Sequence, residues 1–193
     1  MKLETLVKEV YAHAEQEQPH ECCGLAVVVK GKLQYVRCRN VAQSTENVKD
    51  WFQISPEDWA AAEDKGEIVG VCHSHVYAAP TPSEADRVSC ERSGVPWLIV
   101  NWPVGSYMQV DPESYEAPLE GRHFAHGVLD CYQIVVDYYK REEGIELPNF
   151  ERVADWWING ENLYLDGFPK AGFEQVGDGS FKKKKKGDVL LMQ

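Results

Sequence analysis

Residues 71–86, Val-Cys-His-Ser-His-Val-Tyr-Ala-Ala-Pro-Thr-Pro-Ser-Glu-Ala-Asp, restrict the chain more than any other stretch. The apolar run Ile68-Val69-Gly70-Val71-Cys72 leading into it reads as a buried strand. His73 and His75 stand at i and i+2, so on an extended backbone both imidazoles project from one face. A proline-rich turn then hands the chain to a helix opening at Ser83, with Asp86 in its first turn. Two imidazoles and one carboxylate are ligands of the N/O kind that zinc takes, with a fourth position open to water. A closed structural site would use a fourth protein ligand, so the pattern is that of a catalytic metal. Plainer explanations stand beside it. A His-x-His pair in a strand can be two satisfied histidines, and Ser83-x-x-Asp86 after Pro82 is an ordinary capping box.

The spacing of His-x-His, seven residues, then Ser-x-x-Asp resembles the motif of the JAMM (MPN+) metallopeptidases, with its four positions filled. That family also places a glutamate near the end of its first helix, before its first strand. Glu21, in Pro19-His20-Glu21-Cys22-Cys23-Gly24, stands there. The resemblance implies a Zn²⁺ held by His73, His75 and Asp86, with Glu21 relaying the proton and the Ser83 hydroxyl donating to the oxyanion. The reaction it implies is hydrolysis of an amide or isopeptide bond in a polypeptide substrate.

The order of elements agrees with such a fold. Leu3, Leu6, Val7, Val10 and Ala14 recur at helical spacing, and Pro19 ends the helix. Leu25–Val29 and Leu33–Arg39, around a Gly31-Lys32 turn, read as a hairpin. Phe52–Ile54 reads as a short strand. Ser55-Pro56-Glu57-Asp58 opens a capped helix running to about Asp64. The ligand strand at 68–73 follows, then a helix from Ser83 to Arg92 ended by Gly94, then strands Pro96–Trp102 and Tyr107–Val110. The fold class expected is α+β, a mixed sheet flanked by helices over 1–115, a linker at 116–123, and a second domain at 124–193.

In that second domain Asp130 reads as an N-cap and Cys131 as the first turn of a helix reaching about Glu143 and stopping at Gly144. A thiol there faces the positive end of the helix dipole, which favours the thiolate; a small buried hydrophobe fits the window equally well. The segment resembles the Asp-Cys helix of NlpC/P60 cysteine peptidases, papain-like enzymes acting mostly on peptidoglycan, and Gly187–Leu191 resembles the strand opening their sheet. The resemblance makes Cys131 a nucleophile candidate. Histidines 123 and 126 precede it and none follows, so the expectation is a partial domain without its base and without cysteine-peptidase activity. The pairing of the two halves resembles the tail-tip assembly proteins of lambda-like bacteriophages. It implies other tail-tip proteins as partners, with the host cytoplasm during assembly and then the virion tail as the setting; the alternatives to a zinc peptidase are a non-catalytic tail assembly protein, or a peptidoglycan endopeptidase through the second half of a longer chain.

A net charge of −11 over 193 residues argues against a general nucleic-acid binder. No apolar run reaches the length of a membrane span. Six scattered cysteines without a CxxC pair read as reduced thiols. The run Lys182–Lys186 reads as a solvated loop, and Trp156-Trp157 through Phe173 as either core or a partner-facing loop.

Overall fold

The helical stripe at the N-terminus does what its spacing requires. Leu3, Leu6, Val10 and Ala14 are all buried. The chain enters through a 3₁₀ turn, Glu4–Leu6, and continues as α1, Val7–Glu17. The hairpin follows as β1, Cys23–Val29, and β2, Lys32–Cys38. Its two linking residues, Lys30 and Gly31, have φ of 50° and 77°, the left-handed pair that lets a tight turn match the strand twist. In the computed structural model the described residues are 2–44, 51–150, 152, 160–175 and 185–189, and the chain divides into two units, Met1–Glu116 and Ala117–Gln193.

In the first unit α2, Pro56–Glu63, starts at the Ser55 cap, whose hydroxyl accepts from the Asp58 amide at 3.4 Å, with Pro56 at the first helical position. Then come β3, Glu67–Val76; α3, Glu84–Ser93; β4, Trp97–Trp102; and β5, Tyr107–Val110. The sheet order is β2-β1-β3-β4-β5, and only β3 and β4 run parallel. That parallel pair is joined through α3, so the end of β3 and the start of α3 lie at the same edge of the sheet.

Side chains alternate between two cores. Leu6, Val10, Ala26, Cys72, Leu98 and Val100 pack on the α1 side. Cys23, Leu25, Val27, Val71, Cys90 and Trp97 pack on the side covered by α2 and α3. Each fully buried aliphatic chain here contributes about 1.5–3 kcal/mol. The fold is mixed α+β, a five-stranded sheet flanked by helices.

Three expectations change in detail. Phe52–Ile54 forms only a single bridge, Asn40↔Ile54, because its backbone is held by the Asn40 side chain rather than by a ladder. β3 runs on to Val76, since parallel pairing with β4 continues through His75↔Asn101 and Val76↔Trp102. In the second unit the helix is α4, Cys131–Tyr138, and its expected last turn is instead a π turn, Tyr139–Glu143, closed by Gly144 at φ 69°. A short α5, Leu163–Gly167, lies in the aromatic stretch. Lys186 and Gly187 form a turn, and Asp188 and Val189 carry no ladder; Leu190, Leu191, Lys182–Lys184 and Trp156-Trp157 lie outside the described residues. Among the described residues no helix is long and apolar enough to cross a membrane.

Candidate metal centre

Strand geometry puts His73 and His75 on the α2/α3 face of the sheet, and the turn after β3 returns the chain so that α3 begins beside them. His73 and His75 approach each other at 3.2 Å between Nε2 atoms. Asp86 Oδ1 lies 3.4 Å from His73 Nε2, and Asp86 Oδ2 lies 3.4 Å from His75 Nε2. Among the described residues this is the one cluster of three His, Cys, Asp or Glu side chains able to share an ion.

Each of the three side chains is held from behind. His73 is fully buried, with the Phe52 ring stacked at 4.6 Å and 30° and the Trp97 ring edge-on at 5.5 Å and 78°. Burial, partly offset by Asp86, lowers its pKa to about 4, so the ring is neutral. The other ring nitrogen, Nδ1, is buried without a hydrogen-bond partner. His75 Nδ1–H donates to the Ala79 carbonyl at 2.7 Å. A carbonyl can only accept, so this bond fixes the tautomer and points the second nitrogen inward. Burial alone would depress His75, but Asp86, the Ala79 carbonyl and the Glu21 charge outweigh it and raise its pKa to about 8.

Asp86 is the third residue of α3. Its Oδ2 accepts from the Ser83 amide at 2.7 Å and from the Ser83 hydroxyl at 2.7 Å, while its own amide donates to Ser83 Oγ at 3.1 Å. This is a reciprocal capping box. Burial opposes ionisation, yet the two histidines and the Ser83 donors hold Asp86 well below the usual carboxylate range. The capping box and the candidate ligand therefore share one carboxylate, and neither sequence reading excludes the other.

Glu21 is buried just ahead of β1. Cys23 pairs with His73 across the antiparallel β1–β3 ladder, and the Ser74 amide donates to the Cys22 carbonyl at 3.1 Å. Continuing that register sets residue 21 opposite His75, and strand alternation gives it the face that Cys23 shares with the histidines. The structure thus brings His73, His75, Asp86, Ser83 and Glu21 to one corner.

Cys131 belongs to the second unit and is exposed in the first turn of α4. Asp130 Oδ1 caps that helix, accepting from the Tyr132 amide at 3.2 Å and the Gln133 amide at 2.9 Å, and its other oxygen pairs with buried Arg152. Tyr164 is pushed up to about 12 by burial, by Asp130 and by its hydrogen bond with Cys131. His126 Nε2–H donates to the Arg152 carbonyl at 2.8 Å.

Four supports lacked a sequence signal: the Ala79 carbonyl, Phe52, Asn40 and Asn101. Asn101 Nδ2 donates to the Ala78 carbonyl at 2.5 Å and so steadies the turn that orients His75. Backbone carbonyls look alike in any sequence, and lone asparagines are common in turns.

Residues 3–116 match the family described as prokaryotic homologs of the JAB domain. Tail tip assembly protein K of Escherichia phage N15 is 38% identical over 190 residues, 97% of this chain and 74% of that protein. Tail tip assembly protein K of Escherichia phage lambda is 44% identical over 138 residues, 72% of this chain and 65% of that protein. A desampylase of Pyrococcus furiosus is 33% identical over 87 residues, 42% of this chain and 59% of that protein. A solved JAB1/MPN domain protein from Archaeoglobus fulgidus, 22% identical, superposes with a TM-score of 0.37 over 58% of this chain and 88% of its own. By the match over residues 3–116 and the likeness along nearly its whole length to the N15 protein, the chain belongs to the tail tip assembly protein K family and carries that family's JAB domain.

Proposed function

We propose that the first unit is a zinc-dependent peptidase domain that hydrolyses an amide or isopeptide bond, working within phage tail-tip assembly. The observation that carries this reading is the spacing of the three ligand residues. Zinc bonds of about 2.0–2.2 Å at a tetrahedral angle separate neighbouring ligand atoms by about 3.3–3.6 Å. The two Nε2 atoms here are 3.2 Å apart, and each lies 3.4 Å from an Asp86 oxygen, Oδ1 for His73 and Oδ2 for His75, so that one ligand atom from each residue lies within 4.8 Å of the others. The donor set fits the metal.

When bound, zinc supplies Lewis-acid polarisation of the scissile carbonyl and of a water molecule. His73, His75 and Asp86 orient that reaction. Glu21, beside His75 but outside the ligand set, takes the water's proton and returns it to the departing amine. The Ser83 hydroxyl proton rests on Asp86 Oδ2, so Ser83 first holds the ligand in place. Donation to an oxyanion requires that proton to swing away from Asp86. The desampylase relative supports a hydrolase.

The N15 and lambda relatives support a setting among other tail proteins, in the host cytoplasm or the assembled virion tail. Residues 124–193 stand in this reading as an NlpC/P60-like unit joined through 116–123, with Cys131 as its nucleophile candidate and the nearest upstream imidazole, His126, engaged with the Arg152 carbonyl.

The test is co-expression with the other tail-tip proteins of the same phage, followed by mass spectrometry for new termini. Wild type should yield a defined cleavage that Glu21→Gln abolishes while retaining zinc. Cleavage that persists in Glu21→Gln, or that tracks Cys131→Ala instead, contradicts the assignment.

A further inference from the structure

The peptide unit joining Glu21 to Cys22 lies just outside the β1 ladder, and both of its polar groups are taken by side chains. The Glu21 carbonyl accepts from Asn40 Nδ2 at 3.0 Å. The Cys22 amide donates to Ser74 Oγ at 2.9 Å in a fully buried bond. Ser74 lies between the two histidine ligands and turns to the opposite side of the strand. Its own amide donates back to the Cys22 carbonyl at 3.1 Å, so one residue of the ligand strand grips both polar groups of Cys22.

Asn40 is equally committed. Its Nδ2 also donates to the Trp51 carbonyl at 3.3 Å, and its Oδ1 accepts from the Ala42 amide at 3.0 Å and the Gln53 amide at 3.1 Å. Two carbonyls on one side and two amides on the other fix the orientation of the side-chain amide and saturate it. Between Trp51 and Gln53 sits Phe52, the ring stacked on His73. A single asparagine therefore ties the Glu21 backbone to the segment that covers a ligand.

We propose that Ser74 and Asn40 are positioning residues that clamp the Glu21–Cys22 peptide plane and thereby hold the Glu21 carboxylate at the metal corner. The direction of the Glu21 Cα–Cβ bond follows from that plane. A shift of about 1 Å at a reacting group can cost on the order of 10²-fold in rate, so two hydrogen bonds spent on this peptide are functional as well as structural. The inference rests on the proposed zinc reading and adds to it the means by which the base is aimed.

The test uses the full chain loaded with Co²⁺, whose visible d–d spectrum reports the immediate surroundings of the ion. Glu21→Gln should bind Co²⁺ and change the spectrum. Ser74→Ala should keep Co²⁺ affinity within about threefold and reproduce that change, and it should add nothing in the Glu21→Gln background. Ser74→Thr, which keeps the hydroxyl, should restore the wild-type spectrum. Asn40→Asp, which keeps the acceptor but loses both donors, is the second route should Ser74→Ala fold poorly, and it should likewise be silent in the Glu21→Gln background. A wild-type spectrum in Ser74→Ala or Asn40→Asp alongside an altered one in Glu21→Gln overturns the clamp and leaves the base assignment standing. An unaltered spectrum in Glu21→Gln overturns clamp and base together, and failure of the wild type to bind Co²⁺ removes the metal reading beneath both.

Discussion

Of the three proposed ligands, His75 is the one whose pKa is raised, and this gives the proposed zinc binding a direction with pH. Its pKa is raised to about 8, while His73 is depressed to about 4 and Asp86 is ionised throughout the neutral range. Between those limits an incoming ion displaces one proton, from His75. Apparent zinc affinity should therefore fall about tenfold for each unit of pH lost below 8 and level off above it. A chelator competition titration at pH 6, 7 and 8 reads this slope, and a flat profile contradicts the assigned protonation. Ser83 belongs to the same scale. Ser83→Ala removes a donor to Asp86 and should weaken zinc affinity by about 10- to 100-fold, as loss of a ligand's hydrogen-bond partner does, besides any loss of turnover. Unchanged affinity in Ser83→Ala leaves only the oxyanion role. The meeting of His73, His75 and Asp86 was legible in the sequence because alternation along a strand and a cap at a helix start are local rules. What holds them was not. Phe52 on His73, Asn40 on Glu21 and the Ala79 carbonyl on His75 depend on segments meeting in space, and their residue types carry no mark of it.

Among the elements, β3 decides most, because it is central in the sheet, carries both histidines and passes close under α1. A Cβ at Gly70 would sit 2.6 Å from Leu3 Cδ1 and 2.9 Å from the Pro96 carbonyl oxygen. Leu3 is fully buried and the carbonyl is backbone, so neither can retreat freely. Gly70→Ala should cost about 1–3 kcal/mol by overpacking. Gly94, which ends α3 at φ 67°, has open space around its missing Cβ. Gly94→Ala should cost about 1–2 kcal/mol through backbone strain alone, without disturbing the core. Urea unfolding of both variants, with near-ultraviolet circular dichroism of the native states, separates the mechanisms; an aromatic signature altered in Gly94→Ala and not in Gly70→Ala reverses the account. Helices α1 to α4 and the hairpin were readable from period and caps, the hairpin turn falling at Lys30-Gly31, one residue earlier than expected, while α5 was not readable. The bridge at Ile54 and the π turn at Tyr139–Glu143 were not, since both are set by contacts that override local preference.

At the scale of the whole molecule, the division at residue 116 puts every proposed zinc ligand, Glu21 and both hydrophobic cores of the sheet in the first unit. Residues 1–116 expressed alone should fold and bind zinc as the full chain does; an unfolded or metal-free fragment beside a zinc-binding full chain contradicts the autonomy of that unit. The mixed, helix-flanked sheet of the first unit followed from the sequence and its strand order did not, while the second unit offered one capped helix and little periodicity to read. The measurement that reaches the central claim most directly is the zinc content of the purified full chain, by plasma mass spectrometry, beside His75→Ala and Asp86→Asn. The account predicts about one zinc per wild-type chain, almost none in either variant, and a wild-type melting temperature that falls on chelation and recovers with added zinc. A wild type that holds no zinc after exposure to it and melts identically with and without the metal contradicts the account.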